Sequence, residues 1–147
     1  MRMLTLSLAT ALLAAACGGT AAPSPSPTSS PTPTSVAKVA TDATLGKILV
    51  DPQGKTLYVW FKDTDENSQC YDQCATFWPP LVTTAKTLAA DGVTTGKFGT
   101  SARKDGSLQV TFDSHPLYFY ARDLAPGDTN GQGSTGFGAV WVVIAVP

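Results

Sequence analysis

Apolar and polar side chains alternate in short runs between residues 45 and 147, and this period of two predicts β-strands. The run 56–62 has one largely aliphatic face and one face that carries Tyr58 and Trp60. The run 108–112 alternates cleanly, so we expect one side of this strand to face water. The pattern is typical of an all-β protein.

Turn residues divide these runs and predict how some of them pair. Asp105-Gly106 is a strong hairpin signal, so residues 98–103 are expected to pair with 108–112. Residues 139–146 are almost continuously apolar and predict a strand covered on both faces, whereas 84–91 have some helical character or form a loop. The prediction is one small, mainly β domain, built as an antiparallel sheet, a sandwich or an open barrel.

The domain contains an internal repeat. Leu57-Tyr58-Val59-Trp60-Phe61-Lys62-Asp63 matches Leu117-Tyr118-Phe119-Tyr120-Ala121-Arg122-Asp123 position by position. Two copies are too few for a solenoid, so we predict one duplicated domain with repeats at about 45–82 and 104–147. The aspartate of each copy is expected to accept backbone N–H groups in the turn that follows its strand. The motif residues, which form a structural signature or a binding site, are Tyr58, Trp60, Asp63, Tyr118, Tyr120 and Asp123.

The first sixteen residues have the layout of a secretory signal peptide. Arg2 supplies the positive charge, residues 3–16 are uncharged, and three alanines precede Cys17. The signal peptide is either cleaved after these alanines or processed as in a bacterial lipoprotein, since Leu-Leu-Ala-Ala-Ala-Cys resembles a lipobox. Lipidation of Cys17 is favoured, because pairing of the other two cysteines leaves Cys17 as an odd thiol outside the cytoplasm.

A linker is predicted at residues 17–44. Its part from Thr20 to Ser35 contains five Pro, nine Ser or Thr and two Ala, with no charged and no aromatic side chain. Such a segment has nothing to bury, so we expect a disordered, extended spacer. The predicted organisation is therefore a signal peptide at 1–16, a lipidated linker at 17–44 and a folded domain at 45–147.

The charge balance excludes one class of partner. The chain has 10 Lys and Arg against 11 Asp and Glu, a formal net charge of −1. A nucleic-acid-binding face needs clustered cations, so no nucleic acid is expected as a partner. The predicted partner is the bacterial cell membrane, reached through the N-terminal lipid, and the predicted location is extracytoplasmic, with simple secretion as the alternative.

Cys70 and Cys74 are the main candidate for chemistry. If they lie one helical turn apart, their Cα atoms are ~6 Å from each other, within the range that a disulfide tolerates. A structural disulfide is favoured, and a redox-active dithiol or a metal site are the alternatives. The acidic neighbours Asp65, Glu66 and Asp72 disfavour the thiolate that exchange needs.

Two further features of the sequence do not indicate a catalytic or metal-binding site. The acidic loop of Asp63, Asp65, Glu66 and Asn67 lacks the glycine of a calcium-binding EF-hand loop, so we expect a solvated loop and no metal site. His115 is the only histidine, and it lies in a turn with no nucleophile motif elsewhere in the chain. No catalytic residue is therefore predicted.

The motifs together resemble one known family. The two Leu-Tyr-x-aromatic-x-x-Asp copies, Cys70-x-x-x-Cys74-Ala75 before Trp78-Pro79-Pro80, and Arg103-Lys104-Asp105-Gly106 occur in the order found in that family. The chain is similar, over most of residues 45–147, to predicted bacterial secreted lipoproteins with a Tyr-x-(Phe/Trp/Tyr)-x-x-Asp motif, described as a secreted repeat of unknown function. The resemblance implies a location and a fold, and it brings no established activity.

The aromatic residues of the motifs, with Trp78 and Trp141, form either a core or a platform for a sugar or quinone-like ring. Aromatic residues on strands usually belong to the core, which is the favoured interpretation. We therefore expect a lipid-anchored, non-enzymatic binding or envelope-interaction module without a cofactor. The alternatives are an envelope redox protein that uses the Cys70/Cys74 dithiol, and a metal- or haem-binding electron-transfer accessory.

Overall fold

The computed structural model describes residues 32–147, which form short strands, one α-helix and one 3-10 helix. The first five strands are β1 (Thr34–Asp42), β2 (Gly46–Val50), β3 (Tyr58–Trp60), β4 (Val82–Thr83) and β5 (Leu88–Asp91). The last four are β6 (Phe98–Ala102), β7 (Leu108–Phe112), β8 (His115–Pro116) and β9 (Trp141–Val143). The helix α1 (Gln73–Phe77) lies between β3 and β4, and the 3-10 helix (Gly136–Gly138) precedes β9.

These strands form three small sheets. The first has the order β2-β1-β5, the second pairs β3 with β9, and the third has the order β4-β7-β6 with β8 also paired to β7. Strand pairs are antiparallel except β1 and β5, which run parallel. The mainly β prediction is confirmed, and the sheets formed by residues 32–147 do not close into a barrel.

The fold begins earlier than the predicted boundary at residue 45. β1 starts at Thr34, inside the segment 17–44 that was assigned to the linker, and it is the central strand of the first sheet. Val36 and Ala37 are buried there, at 5% and 0% exposure. The linker boundary was wrong because strands on both sides supply the pairing that this Ser- and Ala-containing segment needs. The predicted signal peptide and Cys17 lie outside the described residues.

The hairpin predicted at Asp105-Gly106 is confirmed. β6 and β7 pair from Phe98 with Phe112 to Ala102 with Leu108. Gly106 has φ +83°, a left-handed conformation that glycine adopts without strain.

The expectation that one face of β7 is wet is wrong. Gln109, Val110 and Thr111 are all buried, because the strand has neighbours on both edges and is covered on both faces. The Gln109 side chain is satisfied inside the fold: it donates to the Leu117 carbonyl at 2.8 Å and accepts from the Arg103 guanidinium at 2.6 Å.

Three other segments differ in extent or type from the prediction. Residues 84–91, expected to be helical or a loop, contain β5, which completes the first sheet. Only Trp141–Val143 of the predicted strand 139–146 is a regular strand. The first motif copy forms β3, whereas the second is held by isolated bridges from Tyr118 to Tyr58 and to Pro80.

An approximate two-fold axis relates the two repeats. The Tyr58 N–H donates to the Tyr118 carbonyl at 2.9 Å, and the Tyr118 N–H donates back to the Tyr58 carbonyl at 3.0 Å. Equivalent bonds recur away from the axis: Leu57 donates to Leu49 at 3.0 Å, and Leu117 donates to Val110 at 2.9 Å. The duplication seen in the sequence is therefore also a duplication of backbone pairing.

Each motif copy forms backbone hydrogen bonds with a segment of the other repeat. The Phe61 N–H donates to the Val140 carbonyl at 3.0 Å, continuing the pairing of β3 with β9. In the second copy the Ala121 N–H donates to the Phe77 carbonyl at 2.9 Å. The chain thus exchanges strands between its halves, so the two halves share one core.

That core has an aromatic and an aliphatic part. The aromatic part holds three tryptophans, two tyrosines and both cysteines of the domain, together with Ile48, Val50 and Val143. The aliphatic part consists of Val36, Ala37, Leu49, Leu57, Val110, Leu117 and Ile144.

Candidate functional site

Four aromatic rings stack in one column through the core, which we call the aromatic column: Trp60, Trp141, Trp78 and Tyr120, in that order. Successive ring centroids are 4.8, 3.9 and 4.4 Å apart, with interplanar angles of 4°, 2° and 30°. The tryptophans are buried, at 0–2% exposure, whereas Tyr120 is half-buried. Such ring pairs contribute ~0.5–1.5 kcal/mol each beyond the area that they bury.

The column follows the two-fold symmetry of the backbone. Trp78 and Trp141 occupy equivalent places in the two repeats. The residue before Trp78 accepts a backbone hydrogen bond from Ala121 of the second motif copy, and the residue before Trp141 accepts one from Phe61 of the first copy. Trp60 and Tyr120 are the same position of the two motif copies and form the two ends of the column. The axis therefore passes between the two central indole rings.

The motif tyrosines and aspartates pair across the repeats rather than within them. The Tyr58 hydroxyl donates to Asp123 at 2.6 Å, and the Tyr118 hydroxyl donates to Asp63 at 2.5 Å. Both phenol rings meet the column edge-on: Tyr58 lies 5.4 Å from Trp78, and Tyr118 lies 5.1 Å from Trp141. The motif thus joins the halves of the molecule through hydrogen bonds.

The second oxygen of each motif carboxylate holds the turn that follows the motif, as the sequence predicted. Asp63 accepts the Gln69 N–H at 2.8 Å, and Asp123 accepts the Asn130 N–H at 2.9 Å. Each aspartate therefore fixes a loop of its own repeat and a tyrosine of the other.

Burial changes the acidity of all four groups in these pairs. Burial is the largest cause of the raised pKa of both tyrosines. The second cause is the hydrogen bond to the partner carboxylate, which is Asp123 for Tyr58 and Asp63 for Tyr118. Burial also raises the pKa of Asp63 and Asp123, opposed in each case by the tyrosine hydroxyl that donates to the carboxylate. The phenols remain protonated, and the carboxylates are better proton acceptors than exposed ones.

The two ends of the column differ: a lysine lies over one end, and a cavity borders the other. At the Trp60 end the Lys62 ammonium lies over the ring, 5.1 Å from its centroid. At the other end Tyr120 lines a cavity of about 220 Å³ together with Arg122, which occupies the motif position of Lys62. We call this cavity the aromatic cleft.

The remaining walls of the aromatic cleft are aromatic and small polar residues. Phe77, the last residue of α1, and Phe137, in the 3-10 helix, face each other with centroids 6.0 Å apart. Phe137 has φ +65°, a left-handed conformation that a bulky residue adopts only when its surroundings impose it. Trp78, Ser134 and Gly136 complete the lining.

Cys70 and Cys74 form a disulfide with Cα atoms 5.2 Å apart, and both side chains are buried. Cys70 precedes α1 and Cys74 lies within it, so the bond ties the helix that carries Phe77 to the loop after the first motif. The buried Arg103 anchors that loop: its guanidinium donates to the Cys70 carbonyl and to the Ser68 hydroxyl, both at 2.9 Å. This setting is typical of a structural disulfide.

The other residues weighed from the sequence do not gather into a site. Asp63 turns inward, while its neighbours Asp65, Glu66 and Asn67 are exposed. His115 is exposed and lies in β8, with Nδ1 3.3 Å from the Asp63 carbonyl oxygen. Within residues 32–147 no group of three or more His, Cys, Asp or Glu side chains is placed to hold a metal ion.

Sequence reasoning found Trp78 and Tyr120 but missed the other residues that line the aromatic cleft, among them Phe77, Arg122 and Phe137. Arg122 is the cation of the second motif copy and Lys62 is the cation of the first. The two positions are equivalent in the sequence, so the motif could not predict that Arg122 lines a cavity whereas Lys62 lies over the Trp60 ring. Phe77 and Phe137 lie sixty residues apart and meet only in the folded chain.

The fold and its exchanged strands define a class: a small, duplicated, mainly β domain. A family model described as a secreted repeat of unknown function matches residues 39–82 and 99–145, so the chain belongs to this family. The family is described as secreted, in agreement with the predicted extracytoplasmic location. No curated protein and no solved structure matches the chain. In the described part of the chain, every helix is too short or too polar to cross a bilayer.

Proposed function

We propose that the chain is a lipid-anchored, non-enzymatic binding module of the bacterial cell envelope, and that the aromatic cleft is its binding site. The signal-peptide pattern and the lipobox-like segment that ends at Cys17 support the anchor. The family description supports the extracytoplasmic location.

The observation that carries the proposal is the difference between the two ends of the aromatic column. The lysine of the first motif covers one end, whereas Tyr120 at the other end borders a cavity. A column built only to fill the core has no need of an opening at one end, or of Phe137 held at positive φ beside it.

The lining of the aromatic cleft selects the chemistry of the ligand. Phe77, Tyr120 and Phe137 offer apolar ring surface, and Arg122 is the one charged side chain of the lining. At about 220 Å³ the cavity is smaller than the ~300–1,000 Å³ of pockets for drug-sized molecules. The site therefore fits a single ring with one acidic group, either an aromatic acid or an acidic sugar.

Titration with matched probes tests the site. We expect 4-hydroxybenzoate to perturb the NMR signals of the aromatic cleft in the full chain, and its neutral amide to bind at least about tenfold more weakly, because the amide cannot pair with Arg122. N-acetylmuramic acid, used in parallel, distinguishes an acidic sugar from an aromatic acid.

The two-fold symmetry of the domain supplies a matched control variant. Arg122→Gln is expected to weaken binding about tenfold, whereas Lys62→Gln removes the same charge at the Trp60 end and leaves affinity unchanged. If the acid and the amide bind equally well, or if the two variants behave alike, the aromatic cleft is not an acid-binding site.

The anchor is tested separately in a bacterial host that exports the chain. Cys17→Ser is expected to move the protein from the membrane fraction to the soluble or secreted fraction, and intact mass spectrometry should find acyl groups only on the wild-type chain. Unchanged fractionation of the variant would contradict lipid anchoring without bearing on the aromatic cleft.

A further inference from the structure

The aromatic column connects the aromatic cleft to two buried phenol–carboxylate pairs. We propose that this column relays single electrons: a one-electron oxidant at the cleft takes an electron from Tyr120, and the resulting electron hole moves inward and is trapped as a tyrosyl radical at Tyr58 or Tyr118. This is an activity beyond ligand binding, and it does not depend on the identity of the bound acid.

The geometry of the column favours such a relay. The ring centroids of the half-buried Tyr120 and of Trp78 are 4.4 Å apart. The centroids of Trp78 and Trp141 are 3.9 Å apart, and these two rings are nearly parallel, with an interplanar angle of 2°. Stacked rings at these separations are in van der Waals contact, so their π orbitals overlap. Tyrosine and tryptophan are the two side chains whose rings lose an electron most readily, and every member of the column is one of the two.

The two phenols that touch the column have a proton acceptor already in place. Tyr58 meets Trp78 edge-on at 5.4 Å and donates its hydroxyl to Asp123 at 2.6 Å. Tyr118 meets Trp141 at 5.1 Å and donates to Asp63. An oxidised phenol is a strong acid, so the radical is stable only if its proton has somewhere to go, and each carboxylate supplies that place.

The overall step balances. The oxidant gains one electron, the O–H bond of Tyr58 or Tyr118 breaks, and the proton binds the partner carboxylate, leaving a neutral tyrosyl radical. Burial, which raises the pKa of Asp63 and Asp123, makes both carboxylates stronger bases for this transfer. Both phenols are fully buried, which shields the radical from solvent.

Flash photolysis of the full chain tests the relay. Tris(bipyridine)ruthenium(III) serves as the one-electron oxidant; a light flash generates it from the ruthenium(II) complex, whose excited state gives an electron to an added cobalt(III) quencher. Transient absorption distinguishes tyrosyl from tryptophanyl radicals. We expect a long-lived tyrosyl radical in the wild type, formed more slowly in D₂O because an O–H bond breaks. Absence of a tyrosyl radical, or the same rate in D₂O, overturns the proposal without any variant.

Two sets of variants locate the trap. Tyr58→Phe combined with Tyr118→Phe keeps both rings and removes both protons, so the tyrosyl signal should fall at least about tenfold and a tryptophanyl radical should persist. Asp63→Asn combined with Asp123→Asn keeps the phenols and removes the proton acceptors, and it should slow tyrosyl formation by a similar factor.

Tyr71→Phe is the matched control. The Tyr71 ring lies outside the column, against Arg103 at 4.5 Å and Lys104 at 4.7 Å, so its loss should leave the radical yield unchanged. If Tyr71→Phe removes the signal, the radical forms on Tyr71, and if the double phenylalanine variant retains it, the radical stays on Tyr120 or Tyr71; either result refutes the relay to the buried phenols. Near-ultraviolet circular dichroism checks that each variant is folded. Where a double variant does not fold, the two corresponding single variants are measured in its place.

Discussion

Replacing Tyr118 by Phe removes the hydroxyl that joins the second repeat to Asp63 of the first. Both residues are buried, at 0% and 1% exposure, so the carboxylate loses a donor that water cannot replace. A hydrogen bond to a charged group contributes ~1.5–3 kcal/mol, and the cost is at the upper end when the partner is left buried. We therefore expect Tyr118→Phe to lower the free energy of unfolding by about 2–3 kcal/mol.

A double-mutant cycle shows which aspartate the tyrosine pairs with. Urea unfolding, followed by tryptophan fluorescence with the disulfide intact, is measured for Tyr118→Phe, for Asp63→Ala and for the double variant. The cross-repeat cycle should give a coupling energy of ~1.5–3 kcal/mol, because the second substitution has no bond left to break. The parallel cycle with Asp123→Ala should give less than about 0.5 kcal/mol, since Tyr118 makes no hydrogen bond to Asp123.

The result that would refute the exchanged arrangement is the reverse order of these couplings. A larger energy for Tyr118 with Asp123 would mean that each motif closes on itself, and two equal energies would mean that no specific pair exists. Tyr58 offers an independent repetition of the experiment, with Asp123 as the coupled partner and Asp63 as the uncoupled one.

Three further predictions follow from the same contacts. Burial raises the pKa of Asp63 and Asp123 above their ordinary value of 3.8, so the stability they contribute is complete below pH 3.8 and is lost as pH rises through their folded-state pKa. In urea titrations the wild type should therefore lose stability relative to the double Asn variant as pH rises above 3.8, and a constant difference would contradict this. Replacing both Cys70 and Cys74 by Ser should lower the free energy of unfolding by about 2 kcal/mol, the value that the chain-entropy relation gives for so short a loop. The wild type under reducing conditions is the control, and a loss below about 0.5 kcal/mol would contradict the prediction. Gly131→Ala places a methyl carbon 2.8 Å from the nearest atom of the Trp78 ring, so thermal unfolding should show a loss of ~1–3 kcal/mol. At Gly133 no atom beyond its chain neighbours lies within 4 Å of the added carbon, so Gly133→Ala should cost only the strain of its positive φ, +74°. Equal tolerance at both sites would argue against the close packing of the column.

Local features of the sequence were sufficient for those parts of the fold that depend on neighbouring residues. The hairpin at Asp105-Gly106 formed where its turn residues predicted it, and the spacing of Cys70 and Cys74 matched a disulfide. The duplicated motif predicted two related halves, and the capping role of each motif aspartate followed from its place after a strand. The disulfide and the caps join groups that lie at most seven residues apart, and the duplication can be read directly from the sequence.

Burial of individual strands required the tertiary structure. The alternation at 108–112 predicted a wet face, yet Gln109 is buried because Arg103 and the Leu117 carbonyl satisfy its amide. The linker was extended over β1 because its first residues continue the Pro-, Ser- and Thr-rich segment that ends at Ser35, and only its two neighbouring strands make it part of the sheet. A polar residue can be buried wherever a distant partner completes its hydrogen bonds.

Turn chemistry, alternation and cysteine spacing act over short distances, so the amino-acid sequence was enough to predict two copies of one motif, a short disulfide loop and a mainly β domain. The folded chain was needed to show which tyrosine binds which aspartate, and that three tryptophans and a tyrosine stack in one column. It was also needed to show that Arg122 borders the aromatic cleft whereas Lys62 lies over the Trp60 ring. The physical reason is that two equivalent motifs can pair within or across the repeats with the same local chemistry, and the shared core selects between them.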